Sequence, residues 1–458
     1  MLSKTRQKHT ERRCLLRLFY VLALFLYMSS LIITVQEEER PMLLSHKTKI
    51  KLKNNESNIL GHMNYAAYKL WNVCNYERRN YRELELNQYP DWYYQKKAHK
   101  DDLWFKSLPS QTAQEVCKQL DKAWKSYHAL LKSGGIENPN PPRFKQENME
   151  ITYMQNGIKH EAGSRKVRLS LPKKLKEYMK SEYGIEDKYL YLENEIFRDT
   201  DVIKQIKIYP PENGESEIIV IYEVADPEYM EDNGQYLSID LGLHNLFTCY
   251  DSTGRSFIVG RQYQNICYRY ESEIARVQSQ WSRIQSSKGI KYPKTSKHLE
   301  RLYEKKSCSI HDYLHKITRY IADYCHDNDI HTVVIGDIRN IRKEKNLGDS
   351  VNLKLHSLPY VKIYAMLEYK LQLYGIRMIR QNEAYSSQCG PHTERVCAQE
   401  AVKGNRIKRG LYQEDQNIYN ADALGAYNIL RKYLYEHQID MHISETGLSS
   451  TVVIQAAV

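Results

Sequence analysis

The N-terminal part of the chain changes from strand-like to helical periodicity. Basic and apolar residues alternate over 47–52, which is typical of an edge strand with one polar face. Apolar residues then recur at three-and-four spacing, which predicts helices over 64–81 and 112–131. The glycine pair at 134–135 and the prolines within 139–142 are expected to end this helical part. We interpret the aromatic residues of the helices as packing core, with base stacking as the alternative.

Short apolar runs return between residues 150 and 225. Three of them have the length of single strands: Lys166–Leu171, Val202–Tyr209 and Glu217–Tyr222. We expect these runs to form a small N-terminal β-barrel that is interrupted by a helical insertion. The predicted bounds are 42–60 and 145–230 for the barrel and 61–144 for the insertion.

Strands and helices alternate from residue 235 onward. Strand-like runs lie at 257–259, 331–338 and 375–382; a long helical pair separates the first two and a helix at 361–374 separates the last two. This alternation predicts an α/β domain. Its predicted bounds are 231–384 and 413–440, which leaves an insertion at 385–412 and a tail at 441–458.

Two acidic residues in this part are candidates for a metal site. Leu237, Ile239 and Leu241 alternate with polar residues, so Asp240 is expected to point away from the apolar face of a strand. Asp422 lies in the first turn of a predicted helix that begins with small residues. Acids on separate elements suggest a divalent-metal site; a helix cap or a surface residue is the alternative for each.

The net charge of the chain is +11. A basic chain favours polyanionic partners, because lysine and arginine that neutralise phosphates release counterions. A basic segment accompanies the long helical pair, for which we expect a nucleic-acid contact, with a solvated helix surface as the alternative. Its cations are Arg283, Lys288, Lys291, Lys294, Lys297, Arg301, Lys305 and Lys306.

The cysteines and the N-terminus bear on where the protein works. Nine scattered cysteines do not form a disulfide framework in a chain of this size, which fits a reducing cytoplasm. Residues 5–13 are basic and residues 14–35 almost wholly apolar, which by itself has the length and flank of a membrane span. We interpret 1–41 instead as upstream sequence translated from a misplaced start codon, with Met42 as the working initiator. We therefore expect a cytoplasmic, nucleoid-associated protein, and a membrane anchor only if the first methionine is the genuine start.

Several ordered motifs together resemble the TnpB (OrfB) family of transposon-encoded RNA-guided nucleases, which are relatives of the type V CRISPR effectors. The resemblance covers roughly residues 43 to 440. The motifs that carry it are Asp240-Leu241-Gly242-Leu243-His244-Asn245-Leu246, Asp312-Tyr313-Leu314-His315-Lys316, Thr332–Ile338, Tyr385-Ser386-Ser387-Gln388-Cys389, Arg409-Gly410-Leu411-Tyr412 and Asn420–Leu430. It implies a RuvC-like, RNase H-type nuclease domain, and a barrel that binds a guide RNA scaffold and helps to recognise a short motif beside the target.

The resemblance also implies a third acid. Family members commonly carry a glutamate where this chain has Gly336, whereas a subset carries it ahead of the Ser-Ser-Gln-Cys motif, where this chain has Glu383. We therefore expect Asp240, Glu383 and Asp422 to be the catalytic residues and to hold Mg²⁺, in a two-ion site. Asp337 is the rival third ligand, and a site without a working third acid is the remaining alternative.

The insertion at 385–412 departs from the family pattern of two Cys-x-x-Cys pairs that form a zinc ribbon. Cys389, His392 and Cys397 are candidate zinc ligands, but the sequence offers no fourth ligand before Tyr412, and structural zinc has four. We expect a metal-free loop whose cations contact phosphate, with a zinc site or a disordered surface loop as the alternatives. The cations are Lys403, Arg406, Lys408 and Arg409.

These observations predict an RNA-guided, Mg²⁺-dependent DNA endonuclease. The expected partners are a guide RNA from the protein's own locus and a double-stranded DNA target, with no membrane. One alternative is a nuclease-inactive, RNA-guided DNA-binding repressor, which the loss of the acid at position 336 keeps open. Another is a DNA-strand-transfer transposase, because RNase H-type folds can perform either reaction from three acids.

Overall fold

The structure is a computed structural model that describes residues 41–135, 137–200, 202–225, 227–291, 295–338, 358–401, 405–408 and 410–455. The chain divides into two compact units, which meet in the sequence between residues 226 and 227. The apolar segment at 14–35 lies outside the described residues. Within the described ranges, the structure has no helix that is both long and apolar enough to span a membrane.

The first unit contains a group of helices built on the predicted periodicity. Their bounds are Asn54–Arg79 (α1), Trp92–Ala98 (α2), Leu103–Lys106 (α3), Ser110–Ser133 (α4) and Lys173–Tyr183 (α5). The two predicted helices are confirmed as α1 and α4, and α4 ends at Gly134, whose φ of 63° suits a glycine. Trp71 and Trp124 are 7% exposed and belong to the core, whereas Tyr65 is 38% exposed.

A network of buried polar side chains joins these helices. Arg78, which is 2% exposed, donates from NH1 to Asp121 Oδ1 (2.9 Å) and from Nε to Gln95 Oε1 (2.9 Å). The His99 ring lies 2.5 Å from Asp102 Oδ2 and 3.2 Å from Glu77 Oε2. The buried Arg78 and the half-buried His99 therefore each lie against a carboxylate.

The strands of the first unit form two open sheets. Their bounds are Met42–Lys51 (β1), Ile151–Met154 (β2), Ile158–His160 (β3), Lys166–Ser170 (β4), Tyr189–Glu193 (β5), Val202–Ile208 (β6) and Glu215–Val224 (β7). An antiparallel sheet has the order β1-β7-β6-β2, and a smaller one has the order β3-β4-β5. The helices α1 to α4 follow β1 and precede β2 in the sequence.

The predicted barrel is not found, because β1 and β2 lie at opposite edges of their sheet and do not pair among the described residues. The sheet does not close into a barrel, and the helices α1 and α4 pack on β2 instead. The buried Tyr153 of β2 donates its hydroxyl to Met63 Sδ of α1 at 3.6 Å. The apolar face of the sheet is thus buried without the strands curling into a barrel.

The second unit is a mixed sheet between helices. Its strands are Tyr236–Asp240 (β8), Phe247–Asp251 (β9), Ser256–Val259 (β10), Thr332–Gly336 (β11), Arg377–Gln381 (β12), Leu411–Glu414 (β13), Asn417–Asn420 (β14) and Val452–Ile454 (β15). The large sheet has the order β12-β11-β8-β9-β10-β15. The strands β8, β9 and β10 are antiparallel, β11 and β12 run parallel to β8, and β15 runs parallel to β10.

Helices cover both faces of this sheet. They are Tyr263–Ser287 (α6), Lys297–Asp327 (α7), Tyr360–Gln372 (α8) and Ala421–Glu436 (α9). One core cluster joins α7 and α8 to Leu237 and Ile239 of β8. A second cluster joins α9 to Tyr236, Tyr250 and Val334 on the opposite face. The predicted α/β alternation is confirmed. The core clusters on the two faces hold β8 and β11, and therefore their carboxyl ends, in place.

The residues after α9 add a strand to the large sheet. In β15, Val453 pairs with Ile258 of β10. Ser256 Oγ donates to Gly447 O (2.7 Å) and to Thr451 Oγ1 (2.8 Å), and the Tyr250 hydroxyl donates to Ser444 O. The sequence had predicted only a tail at 441–458, because three residues at a sheet edge leave little periodicity to read.

Candidate functional site

Asp240 is the last residue of β8, and its carboxylate faces α9. In β8, Leu237 and Ile239 enter the core cluster on one face, as the alternation predicts. On the other side, a Cβ atom placed on Gly425 of α9 would lie 2.7 Å from Asp240 Oδ2. Glycine at this position therefore allows the helix to approach the carboxylate.

Asp422 stands in the first turn of α9. The side chain of Asn420 caps the helix, since its Oδ1 accepts from the backbone N–H groups of Asp422 (3.0 Å) and Ala423 (3.1 Å). The Asp422 carboxylate is thereby left available: Oδ2 accepts from Asn245 Nδ2 at 2.8 Å, and Oδ1 lies 3.8 Å from NH2 of Arg406. The alternative that Asp422 is itself the cap is wrong.

Glu383 lies beyond the end of β12, next to the glycine where the family glutamate was expected. Gly336 ends β11 and pairs with Gln381, two residues before Glu383. A Cβ atom placed on Gly336 would lie 2.7 Å from Glu383 Oε2 and 3.1 Å from Ile429 Cδ1. The carboxylate of Glu383 therefore occupies the space that a side chain at position 336 would need.

The charges of Glu383 and Asp422 act on Asp240. Burial, followed by the charges of Glu383 and Asp422, raises the pKa of Asp240 well above its usual range, and Arg406 acts in the opposite direction. The backbone N–H of Asp337, the rival third ligand, donates to Gln381 O at 2.8 Å. Whether Glu383 or Asp337 completes the set of three acids stays a prediction.

The donor chemistry suits a hard divalent cation. Carboxylate oxygens are the ligands that Mg²⁺ prefers, and a cation would relieve the repulsion that raises the pKa of Asp240. In the described part of the chain, however, no group of three or more His, Cys, Asp or Glu side chains stands close enough to hold a metal ion. The roles assigned to the three acids stay predictions.

Two of the candidate zinc ligands of the insertion, Cys389 and His392, make polar contacts with other residues. The Cys389 thiol donates to the carbonyl oxygen of Cys397 at 3.4 Å. The His392 ring lies 3.3 Å from Glu445 Oε2. Of the predicted phosphate-contacting cations, Lys403 and Arg409 lie outside the described residues, and Arg406 lies beside Asp422.

Two residues near the acids were not singled out from the sequence. Asn245 donates to Asp422, and its Oδ1 accepts from Arg261 Nε at 3.3 Å. Asn245 belongs to the Asp-Leu-Gly-Leu-x-Asn motif, which was the available signal. Arg261 belongs to no motif, and only the fold brings it here.

The basic segment lies on α6, α7 and their connection. Its described cations are solvent-exposed apart from the half-buried Lys306, which pairs with Glu271 at 2.8 Å. Lys294 lies outside the described residues. A nucleic-acid contact on this surface stays a prediction.

Two stretches of the chain match family models. Residues 219–342 match OrfB_IS605, described as "Probable transposase". Residues 360–429 match the Cas12f1-like TNB domain. Among curated proteins, none matches the chain in sequence.

Solved structures resemble the chain over most of its length. One, described as "Cryo-EM structure of the Cas12f1-sgRNA-target DNA complex", has 13% identity and a TM-score of 0.53, covering 82% of this chain and 83% of that chain. Another, "Structure of the mini-RNA-guided endonuclease CRISPR-Cas_phi3", has 10% identity and a TM-score of 0.38, covering 88% and 94%, and this score is too low to support an inference. The first match shows a shared mixed α/β fold. The predicted resemblance to the TnpB (OrfB) family and the type V effectors is confirmed.

Proposed function

We propose that this protein is an RNA-guided, Mg²⁺-dependent DNA endonuclease, with Asp240, Glu383 and Asp422 as its catalytic carboxylates. The observation that carries the proposal is that the Glu383 carboxylate lies where a side chain at position 336 would otherwise lie. The glycine removes one possible acid, and the carboxylate of Glu383 fills the vacated space. The charge of Glu383 also acts on Asp240, which supports a shared site for the two carboxylates.

The second unit would be the RNase H-type nuclease domain that the family resemblance implies. When bound there, Mg²⁺ ions about 4 Å apart would activate water and stabilise the leaving oxygen. The chain's own residues prepare the site. Asn245 orients the Asp422 carboxylate, Gly425 admits the carboxylate of Asp240, and Arg406 reduces the net negative charge beside both.

Recognition of the target would rest on base pairing by a bound RNA. The exposed cations of α6 and α7 would contact the phosphates. In the first unit, the two open sheets and the helices between β1 and β2 would hold the RNA scaffold, which is the role that the resemblance gives to a barrel. The guide would come from the protein's own locus.

Two alternatives keep some support. The loss of an acid at position 336 favours a nuclease-inactive, RNA-guided repressor, and the match to a model described as a transposase favours DNA strand transfer. Both would use the same fold and the same nucleic-acid surface. Only the chemistry at the three acids separates them from the nuclease.

The decisive experiment compares the unmodified protein with one variant of Glu383 and one variant of Asp337. The protein, expressed from Met42 with RNA from its own locus, would be tested for Mg²⁺-dependent cleavage of a plasmid library with randomised flanks. We expect guided cutting by the unmodified protein, loss of cutting in Glu383→Gln, and cutting that persists in Asp337→Asn, the matched control.

Each other outcome points to a specific alternative. Guided binding without cutting in the unmodified protein would indicate the repressor. Joining of DNA strands instead of hydrolysis would indicate the transposase. Cutting that survives Glu383→Gln and is lost in Asp337→Asn would move the third ligand to Asp337.

A further inference from the structure

The residues that follow Glu383 form a compact turn, here called the 385–393 turn. A backbone hydrogen bond links the start of the turn to Glu383, since the Ser386 N–H donates to Glu383 O at 3.1 Å. Within the turn, the Gln388 and Cys389 N–H groups both donate to Tyr385 O, at 3.0 and 3.2 Å. Any movement of this turn would therefore be transmitted to the backbone of Glu383.

Asn428 of α9 holds the first half of the turn by hydrogen bonds. Its side chain is fully buried. Its Nδ2 donates to two carbonyl oxygens, those of Ser386 and Cys389, each at 2.8 Å. Both amide hydrogens are thus used on the turn, and a buried amide that lost them would be costly.

Arg431, one helical turn further along α9, holds the second half of the 385–393 turn by hydrogen bonds. NH1 donates to Gly390 O at 3.0 Å and to Asn428 Oδ1 at 2.9 Å, and NH2 donates to Thr393 O. Burial lowers the pKa of this guanidinium. The fixed fork of an arginine is suited to several carbonyl acceptors at once, which a lysine cannot match.

These contacts lie where the family resemblance places a zinc ribbon. Zinc would need its ligand atoms to converge within about 2.0–2.3 Å of one point. Here the Cys389 thiol and the His392 ring are engaged by Cys397 O and Glu445 instead. The turn is held at that place by donors on α9.

We propose that Asn428 and Arg431 replace a structural metal in this chain and act as positioning residues for Glu383. They tie the 385–393 turn to the same helix that carries Asp422, so Glu383 and Asp422 are fixed to one another through α9. The structural part of this inference is independent of activity, and the catalytic part rests on the proposed function.

The structural part is tested by hydrogen exchange on the full chain. In the unmodified protein, the zinc chelator 1,10-phenanthroline should leave the exchange of the Ser386, Gln388 and Cys389 amides unchanged. In Arg431→Met, their exchange should accelerate by at least about tenfold, because several charge-assisted hydrogen bonds are lost.

A matched control is available in the same segment. The Arg395 guanidinium lies 4.3 Å from the Tyr435 ring and is exposed, so Arg395→Met removes an equal charge without touching the turn's hydrogen bonds. Its exchange should match that of the unmodified protein. Chelator-induced acceleration in the unmodified protein, or no acceleration in Arg431→Met, would overturn the proposal.

The positioning role is tested by the Mg²⁺ requirement of cleavage. Arg431→Met should raise the Mg²⁺ concentration for half-maximal cutting by about tenfold or more, and Arg431→Lys should restore part of this shift. An unchanged Mg²⁺ requirement in Arg431→Met would overturn the positioning role. If the unmodified protein does not cut at all, the proposed function fails, while the exchange experiment still decides how the turn is held.

Discussion

Arg78 and His99 lie next to opposite charges in the first unit, whereas Asp240 lies near two like charges in the second. In the helices of the first unit, Arg78 contacts Asp121, and His99 contacts Glu77 and Asp102. The partners of Nε and NH1 of Arg78 and of both ring nitrogens of His99 all lie in the same unit. Such an arrangement holds helices together and calls for no additional ligand.

The second unit assembles Asp240, Glu383 and Asp422 around the ends of β8 and β11 and the start of α9. Arg406 is the cation that partly offsets them. Placing Glu383 and Asp422 near Asp240 does not favour folding, because their charges disfavour the ionised form of Asp240. The difference is what the proposed function leads one to expect, since ionisable groups with perturbed pKa values cluster at functional sites.

The strongest test of this comparison is Asp240→Asn. We expect guided cleavage to fall by about 10⁴-fold, as for other groups at the centre of a catalytic set. We also expect the free energy of unfolding to rise by about 1 kcal/mol, since one of the repelling charges is removed. Plasmid cleavage and urea unfolding of the same preparation would measure both, and a loss of stability would contradict the account.

Arg78→Met should have the opposite effect on stability. We expect the free energy of unfolding to fall by about 3 kcal/mol, because Asp121 keeps only its exposed partner Lys125. Lys47→Met is the matched surface control: its pair with Glu217 is solvent-exposed and should contribute less than about 1 kcal/mol. Equal losses in the two variants would show that the buried pair has no special weight.

Relocating the third acid would sharpen the account of the second unit. Gly336→Glu alone should reduce cleavage by about 10²-fold, since its side chain meets the Glu383 carboxylate. Combined with Glu383→Ala, which clears that space, the same substitution should recover much of the activity. Cleavage by the three variants forms a cycle, and a double variant no better than Glu383→Ala would argue against a shared position for the two acids.

The smallest expected effect concerns pH and the first unit. Burial acts to lower the pKa of His99, but hydrogen bonds to Glu77 and Asp102 outweigh it and raise the pKa to about 9. The folded-state value exceeds the unfolded one, so the stabilisation is complete below about pH 6.5 and is lost as pH rises through 9. We expect about 1–2 kcal/mol, allowing for solvent screening. Urea unfolding between pH 6 and 9.5 should show this loss, and it should be absent in His99→Gln.

Local sequence pattern predicted those features that depend on neighbouring residues. The period of the apolar residues located α1 and α4, and alternation placed Asp240 on the opposite side of β8 from Leu237 and Ile239. The family motif gave Glu383 as a candidate, and its carboxylate lies beside Gly336; its role stays a prediction.

What could not be predicted depends on contacts between distant residues. The open edges of β1 and β2 follow from helices packing on the sheet, which no single strand encodes. The contact of Arg261 with Asn245 and the place of Arg406 beside Asp422 exist only after the second unit has folded. The strand β15 is too short to carry a period of its own.

The pairing of β15 with β10 also constrains the order of events during synthesis. The large sheet receives its edge strand from residues 452–454, and α9 delivers Asp422 only shortly before them. A ribosome moving at about 5–20 residues per second would release the entire first unit before these segments emerge. The first unit can therefore fold while Asp240 and Asp422 are still apart, so the proposed site is completed only near the end of synthesis.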